Sequence, residues 1–390
     1  NKRYNLTLAG IVNNSIIQEN GGVINKNIFT DTLAIQRDIE LVNLNNAEIR
    51  SKEKGIGINQ YFDFGKYHFV ALNDTDSTRV FQPLNRIFHV FNFQKGHYVY
   101  SDKDAALNDS VYYPEIYFLS SSSPLDSVRF RKFKNSIGWT LVPVKWNESK
   151  VCNVAGNRRI SLSANLENWE LSAPFIILNG GVKSASRFLY EMHNFSLNGI
   201  FDQKINTNWN FTASGEYFIS GFNKEDKKEE LNLKKLFLNS FMELSLSNQI
   251  RTPDFVKTRY AYNFMNWEEK YGKEEFSKAE LIYKNNYLGI QIGVAAFLIK
   301  NYIYFDENVQ PVQRKGEFSV LHGYIEKTTK FKKFHLNNFI VYQFSESNAV
   351  NIPQFFIKNN FYYEDSWFKK AILVQLGFNL NYFSGYFSDT

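Results

Sequence analysis

Histidine, cysteine and paired carboxylates are the side chains here best equipped for catalysis or metal binding, and their spacing decides whether they do either. The six histidines (His68, His89, His97, His193, His322 and His335) are scattered through the chain. None stands in an H-x-x-x-H or H-E-x-x-H arrangement, the spacing that sets two imidazoles on one helical face toward a metal. Cys152 is the single cysteine, so it has neither a C-x-x-C companion nor an internal disulfide partner. A hydrolytic site needs a nucleophile, a base and an orienting group within hydrogen-bond reach, and no local motif supplies them. The adjacent acids Glu268–Glu269 and Glu274–Glu275 fall in a charged stretch and read as solvated loop. No phosphate-cradling GxxxxGK occurs, and "LNGGVKS" reads as a turn. The expectation is a chain without enzymatic activity, cofactor or metal. A hydrolase assembled from distant strands is kept as an alternative.

A different chemistry, that of amides and hydroxyls facing water, recurs at every second position. In "NWNFTASGEYFISG", Asn208, Asn210, Thr212, Ser214 and Glu216 alternate with Trp209, Phe211, Ala213, Tyr217 and Ile219. Successive side chains of a strand point to opposite faces, so this stretch has one wet face and one greasy one. "KLFLNSFMELSLS" sets Leu236, Leu238, Met242, Leu244 and Leu246 against Asn239 and Glu243. "FHLNNFIVYQF" sets Ile340, Tyr342 and Phe344 against Gln343. "AILVQLGFNLNYF" sets Val374, Leu376 and Phe378 against Gln375, Asn379 and Asn381. Gln291 interrupts "LGIQIGVAAFLIKNYIYF" in the same sense.

The elements that position these rows are long strands. About ten alternating segments lie between Arg187 and Ser384 and run roughly 9 to 17 residues, where an ordinary strand has about 5 or 6. Their connections alternate as well. Tighter ones fall near 202–207, 285–286, 328–333 and 364–369, and longer polar ones near 221–230, 268–275, 306–316 and 345–351. Short turns on one side and long loops on the other are what an up-and-down antiparallel barrel across a membrane requires. In the first half, "YNLTLAGIV", "GINQYFDF", "NRIFHVFNF", "VRFRKF", "IGWTLVPV" and "RRISLSANL" read as further strands, separated by charged loops such as "SDKDAALNDS". No linker or compositional break divides the chain, so residues 1–390 read as a single domain.

Composition agrees with sheet. The 390 residues include 37 Phe, 23 Tyr and 6 Trp, ring side chains that suit a pleated surface, and only 8 Pro to break strands. The mean hydropathy is -0.37, and no apolar run reaches the roughly 18 residues of a membrane helix. The net charge of +6 is spread in mixed runs such as "NKEDKKEE", which reads as loop, so nucleic acid is not an expected partner.

Period-two patterning alone does not say what the greasy row touches. In a soluble sandwich it packs on a second sheet; in a membrane barrel it meets lipid and the polar row lines water. Three features favour lipid. The segments are long enough, at about 9 to 11 tilted residues, to cross a bilayer. Trp209, Trp267, Tyr302, Tyr304, Tyr362, Tyr363 and Trp367 stand near segment ends, where an interfacial girdle lies. The opposite row is rich in Asn, Ser, Thr and Gln. Unsatisfied backbone groups in hydrocarbon cost several kcal/mol each, so a spanning sheet must close. Roughly ten clear strands and four to eight less clear ones predict a barrel of about 14 to 18, wide enough for an aqueous lumen.

Particular stretches resemble the putative porin family of Bacteroidota outer membranes. They are "NYIYFDENVQPVQ", "KFHLNNFIVYQF", "NIPQFFIKNNFYYEDSWF" and "LGFNLNYFSGYFSD", with "FHVFNF…HYVYSD" and "FKNSIGWTL" fitting more loosely. The resemblance implies an integral outer-membrane β-barrel with a porin role. Such barrels commonly finish on a strand ending in an aromatic residue, whereas this chain stops at "YFSDT" and opens abruptly at Asn1. The expectation is that terminal strands lie outside the sequence.

The resulting expectation is a transmembrane antiparallel β-barrel acting as a passive diffusion pore for small polar solutes or ions, sieving by lumen width and charge. Pore-lining candidates are Asn208, Asn210, Thr212, Ser214, Glu216, Asn239, Glu243, Gln291, Gln343, Gln375, Asn379 and Asn381. Lipid-facing candidates are Trp209, Phe211, Tyr217, Ile219, Leu236, Leu238, Leu244, Leu246, Val374 and Leu376. Expected partners are outer-membrane lipid, lipopolysaccharide phosphates met by Lys and Arg near strand ends, and the solutes themselves. The alternative is a plugged or scaffolding barrel that docks surface or secretion-complex proteins.

Overall fold

Each alternating stretch becomes a strand of one antiparallel ladder. The computed structural model describes residues 3–21, 42–71, 77–104, 125–142, 144–147, 152–179, 182–261, 266–306 and 310–386. Its main sheet has fifteen strands. In the first half these are β1 (Tyr4–Glu19), β2 (Ala47–Ala71), β3 (Ser77–Asp102), β4 (Leu125–Leu141), β7 (Arg158–Asn179) and β8 (Val182–Lys204). In the second half they are β9 (Trp209–Gly221), β10 (Lys227–Leu236), β11 (Ser240–Arg251), β14 (Glu274–Asn285), β15 (Ile290–Lys300), β18 (Glu317–Phe331), β19 (Phe334–Ser345), β20 (Phe355–Trp367) and β21 (Ile372–Phe383). Connections carry three two-stranded ribbons, β5 (Val144–Asn147) with β6 (Cys152–Ala155), β12 (Arg259–Ala261) with β13 (Asn266–Glu268), and β16 (Ile303–Phe305) with β17 (Pro311–Gln313). A single turn of helix, α1 (Phe255–Thr258), precedes β12.

Each strand of the main sheet pairs with the next one in chain order, the up-and-down topology expected from the sequence. The turns 205–208, 237–239, 286–289, 332–333 and 368–371 lie on one side, and the longer connections 252–273, 301–316 and 346–354 on the other. The 222–226 connection is shorter than the polar run suggests, because Lys227–Glu230 already belong to β10. Gly221 makes that reversal: its φ is +105°, and a Cβ there would lie 1.7 Å from the His193 carbonyl oxygen.

Strand length divides the sheet into two walls. β2, β3, β7 and β8 have 25, 26, 22 and 23 residues, whereas β9 to β21 run 10 to 15 within the main sheet. Two short first-half segments are in fact one strand, and another segment extends further than expected. "VRFRKF" and "IGWTL" are both in β4, and "NRIFHVFNF" and "HYVYSD" are both in β3. The core is small. Ile299, Phe318 and Val320 are buried with Phe276, Tyr302, Val350 and Ile352 packed against them, at the long-loop end of the short wall. Elsewhere the large apolar side chains are exposed, among them Ile137 at 62%, Leu162 at 56% and Val294 at 53%. A soluble sandwich hides that row under a second sheet; here nothing among the described residues covers it.

Candidate functional site

Register, read across the ladder, decides which residues share a face. One row runs Thr140, Ser161, Ile200, Ser214, Glu230, Ser247 and Lys278, each directly opposite the next. The adjacent row on the opposite face runs Leu231, Leu246, Ala279, Ala296 and Leu321, of which Leu231, Leu246 and Leu321 are exposed. Sheet pleating keeps these two sets apart along every strand.

Asn210, Thr212, Ser214 and Glu216 of β9 share the polar face with Glu243 of β11, Gln291 of β15 and Gln343 of β19. Gln375, Asn379 and Asn381 of β21 follow the same alternation, opposite Glu364, Asn360 and Lys358. Trp209, Phe211, Tyr217, Leu244, Leu246, Val374 and Leu376 lie on the apolar face or its strand ends, and Ile219 is the residue left without a cross-strand partner where the β8–β9 register shifts. Four candidates are corrected. Asn208 and Asn239 belong to turns and not to strands, as does Leu238, which is 97% exposed. Leu236 stands opposite Phe241, beside the Lys234–Glu243 row, and so falls on the polar face. The reason is the 237–239 turn within "KLFLNSFMELSLS", which reverses the chain and exchanges the parity of its two halves. The expected aromatic girdle is likewise thinned. Trp267 is 7% exposed within the β12–β13 ribbon, and Tyr302 and Tyr304 lie in the 301–316 connection.

The polar face is charged, and its charges are matched. Asp63 meets Arg86 at 2.7 Å, Glu167 meets Lys132 at 3.1 Å, and Asp202 meets Arg159 at 2.5 Å. Further along, Lys228 meets Glu230 at 2.8 Å, Lys234 meets Glu243 at 2.9 Å, and Lys278 meets Glu280 at 2.8 Å. Neutral groups are linked too. Ser196 Oγ donates to Glu216 Oε1 at 2.7 Å, Asn165 Nδ2 donates to the same oxygen at 3.2 Å, and Gln291 Nε2 donates to the Tyr324 hydroxyl at 2.8 Å. A depression of about 440 Å³ near the short-turn end is lined on this face by Asn59, Tyr61, Arg86, Thr140, Arg159 and Ser161. These side chains can solvate a polar solute, and none is arranged as a nucleophile with its base.

At the other end, the 252–273 connection folds over the polar face. Phe255 of α1 packs on Tyr190 of β8 with ring centroids 4.3 Å apart, and β12 approaches β7. Tyr190 continues the alternation of Ser196 and Asn194, so the connection crosses from β11 past the short β9–β10 hairpin to the inner side of the long wall. Two buried carboxylates anchor it. Glu274 has no exposed surface and accepts from Arg251 Nη2 at 3.0 Å and from the Ile303 amide at 3.1 Å. Asp226 accepts from the Thr252 amide at 2.9 Å and from Lys273 Nζ at 2.8 Å. Burial raises the pKa of the Tyr271 phenol in the same connection, which keeps it neutral and a hydrogen-bond donor. No short-range spacing announces this loop-to-wall contact; the aromatics of 255–267 are the only sequence trace of it.

The histidines remain dispersed. His68 stacks on Trp146 at 3.9 Å, His335 stacks on Tyr362 at 4.6 Å, and His89 bonds Gln60 and Asn135. Among the described residues no cluster of His, Cys, Asp and Glu is placed to hold a metal ion.

An antiparallel up-and-down ladder of long strands, apolar on one face and polar on the other, is an integral outer-membrane β-barrel. The solved structures similar to it are barrels of that membrane. The copper transporter OprC matches with a TM-score of 0.56 at 9% identity, over 84% of this chain and 52% of that one. The ferric enterobactin receptor PfeA of Pseudomonas aeruginosa matches at 0.54 and 10% identity, over 98% and 64%. The ferric-catecholate import receptor Fiu of E. coli matches at 0.54 and 9% identity, over 93% and 60%. This chain therefore spans between about half and two thirds of the length of those proteins. No curated protein matches it in sequence. The family model described as "Putative porin" matches residues 1–390, and the chain belongs to that family.

Proposed function

We propose that the barrel is a pore for small polar solutes, with Asn210, Thr212, Ser214, Glu216, Glu243, Gln291, Gln343, Gln375, Asn379 and Asn381 lining its water-filled interior. The observation that carries this reading is the matched ionic lattice on the polar face. Ion pairs such as Lys234–Glu243, across β10 and β11, and Lys278–Glu280, along β14, keep that face hydrated without a strong net field of either sign. Such a lining passes solutes by size first and by charge second. The 252–273 connection narrows the mouth, since it reaches the inner side of β8. β1 and β21 are the edges of the described ladder, and exposed edge groups in hydrocarbon are costly, so the reading includes further pairing at both edges to complete the cylinder.

Refolded protein that shows a heat-shifted gel band and stepwise conductance in a planar bilayer is the expected result. A second reading is favoured by the same loop contact: a barrel closed by its connections that admits one specific solute, OprC being a copper transporter and PfeA a ferric enterobactin receptor. A heat shift without conductance selects that reading, and deletion of 255–268 then opens the pore.

A further inference from the structure

The apolar face changes character where the long wall rises past the membrane band. On β3 this face carries Ile87, His89, Phe91 and Phe93, then Lys95 and His97. On β4 it carries Trp139, Ile137, Asn135 and Phe133, then Arg131 and Arg129; on β2 it carries Phe62, Gln60, Ile58 and Ile56, then Lys54 and Lys52. Ile56, Ile87, Ile137 and Trp139 are exposed, which identifies the face. From the Phe62–Ile87–Trp139 row to the Ile56–Phe93–Phe133 row is seven residues of each strand, about 17 Å of height at the usual tilt, which fits within the roughly 25 Å of an outer-membrane apolar band. Inside it Gln60, His89 and Asn135 satisfy one another by hydrogen bonds. The cations begin in the very next row, on the long-loop side.

Register stacks those cations side by side. Lys54 lies opposite Lys95, and Lys95 opposite Arg131; one row further, Lys52 lies opposite His97, and His97 opposite Arg129. Like charges directly opposed across strands repel. On the polar face the cations Arg86, Lys132, Arg159, Lys228, Lys234 and Lys278 each stand beside a carboxylate. Here five cations, Lys52, Lys54, Lys95, Arg129 and Arg131, surround a depression of about 460 Å³ whose lining has one acid, Glu170. Glu170 meets Arg131 at 3.3 Å, and the other four have no ion-pair partner among the described residues. Leu189, 62% exposed, adds an apolar wall to the same depression.

We propose that this depression binds the phosphates of outer-leaflet lipopolysaccharide. The site rests on the lipid-facing assignment of the apolar face. Its height places ammonium and guanidinium groups level with lipid headgroup phosphates, and the rows beneath it receive acyl chains. Several cations converging on phosphate oxygens make charge-assisted hydrogen bonds, and the repulsion within the Lys54–Lys95–Arg131 row is relieved when the anion is bound.

The test measures binding of labelled lipopolysaccharide to the detergent-purified barrel, beside the same lipid after enzymatic removal of its phosphates. The triple variant Lys95→Gln, Arg129→Gln, Arg131→Gln is expected to bind about 100-fold more weakly. Dephosphorylated lipid should bind wild type as weakly as the intact lipid binds that variant. Lys132→Gln with Lys134→Gln, on the other face of β4, should leave binding unchanged. A heat-shifted band from each variant establishes that it is folded. Undiminished binding by the folded triple variant overturns the site, as does equal binding of dephosphorylated lipid. Loss of self-association or of cross-linking to an acidic protein, with lipid binding intact, assigns the patch to a protein partner and overturns it as well. Ile137→Arg separates the two layers of the argument. If that variant inserts into membranes normally, the facing assignment itself is wrong; if it fails to insert while binding shows no phosphate dependence, only the headgroup site falls.

Discussion

Two depressions of similar size lie on the same face of the sheet and have opposite character. The one on the short wall, about 520 Å³, is lined by Leu231, Leu246, Ala279, Ala296, Phe297 and Leu298, together with Ser and Asn side chains, Glu229 and a single cation, Lys278. The one on the long wall, about 460 Å³, is lined by Lys52, Lys54, Lys95, Arg129 and Arg131. The backbone ladder is the same in both, so the difference comes from height above the band. Strands of 10 to 15 residues match the length that a tilted strand needs to cross the hydrocarbon. On the proposed lipid-facing assignment the longer strands continue past it, and on β2, β3 and β4 the outward row changes from Ile and Phe to Lys and Arg. The walls also differ at the long-loop end. The short wall is capped by ribbons packed around buried Glu274 and Asp226, while the long wall stands as an extended ladder whose inner side receives Phe255.

A charge moved from one environment to the other gives the largest expected effect. Leu244→Arg puts a cation on the lipid face of the short wall, and near the midplane this costs about 2–4 kcal/mol. The heat-shifted fraction after refolding into vesicles should fall accordingly. Leu189→Arg, on the same face of the long wall but beyond the band, should cost about 0–1 kcal/mol and leave insertion intact. Equal penalties at the two positions would mean that strand length does not report membrane depth here.

Next in size is the cap of the short wall. Glu274→Gln keeps the volume but removes the charge that Arg251 and the Ile303 amide approach at 3.0 and 3.1 Å. Loss of a charge-assisted, fully buried acceptor costs about 1–3 kcal/mol, spent locally on the connections and not on the ladder. Limited proteolysis should cut within 252–273 faster than in wild type, with the heat shift unchanged. Conductance should become noisier as the Phe255–Tyr190 contact opens. Ser214→Arg tests the other face. It adds a cation opposite Ile200 and Glu230, so assembly should persist while the ratio of anion to cation permeability rises. An insertion defect there with no change in selectivity would reverse the inner and outer assignments.

The contrast between walls also explains what the sequence disclosed. Within β11, β19 and β21 the alternation has one period and one phase, and their facing is legible from Leu244, Ile340 and Leu376 alone. It failed at Leu236 because the paired positions Leu236 and Phe241 have numbers of opposite parity, so even residues of β10 share a face with odd residues of β11. A run that alternates smoothly through a turn hides that exchange. The long strands were split or cut short for a related reason. Toward the long-loop end of β3 and β4 each row mixes polar with apolar residues, such as Lys95, His97 and Val99 in one row of β3 and Val128, Phe130 and Lys132 in one row of β4, and the period-two signal fades while the hydrogen bonding continues. The polar lattice was half legible: Asn and Ser rows were visible, but pairs such as Asp63–Arg86 depend on register between strands. The basic rows were not legible, since Lys54, Lys95 and Arg131 become neighbours only through the ladder.

The smallest expected effect is in the 346–354 connection of the short wall. The Glu346 carboxylate accepts from the Ser319 amide at 2.9 Å, and that bond holds its pKa below the ordinary glutamate value. A lowered folded value fixes the sign. The contribution is complete above the ordinary glutamate pKa and fades as pH falls through the lowered one. Acid should therefore loosen this connection from the end of β18, seen as faster hydrogen exchange at the Ser319 amide, while strand amides of β3 and β7 keep their protection. Glu346→Gln should remove the pH dependence of exchange at Ser319 and leave insertion unchanged. If Ser319 stays protected through the acid range, the cap is held by packing of Val350 and Ile352 on Phe318, and not by charge.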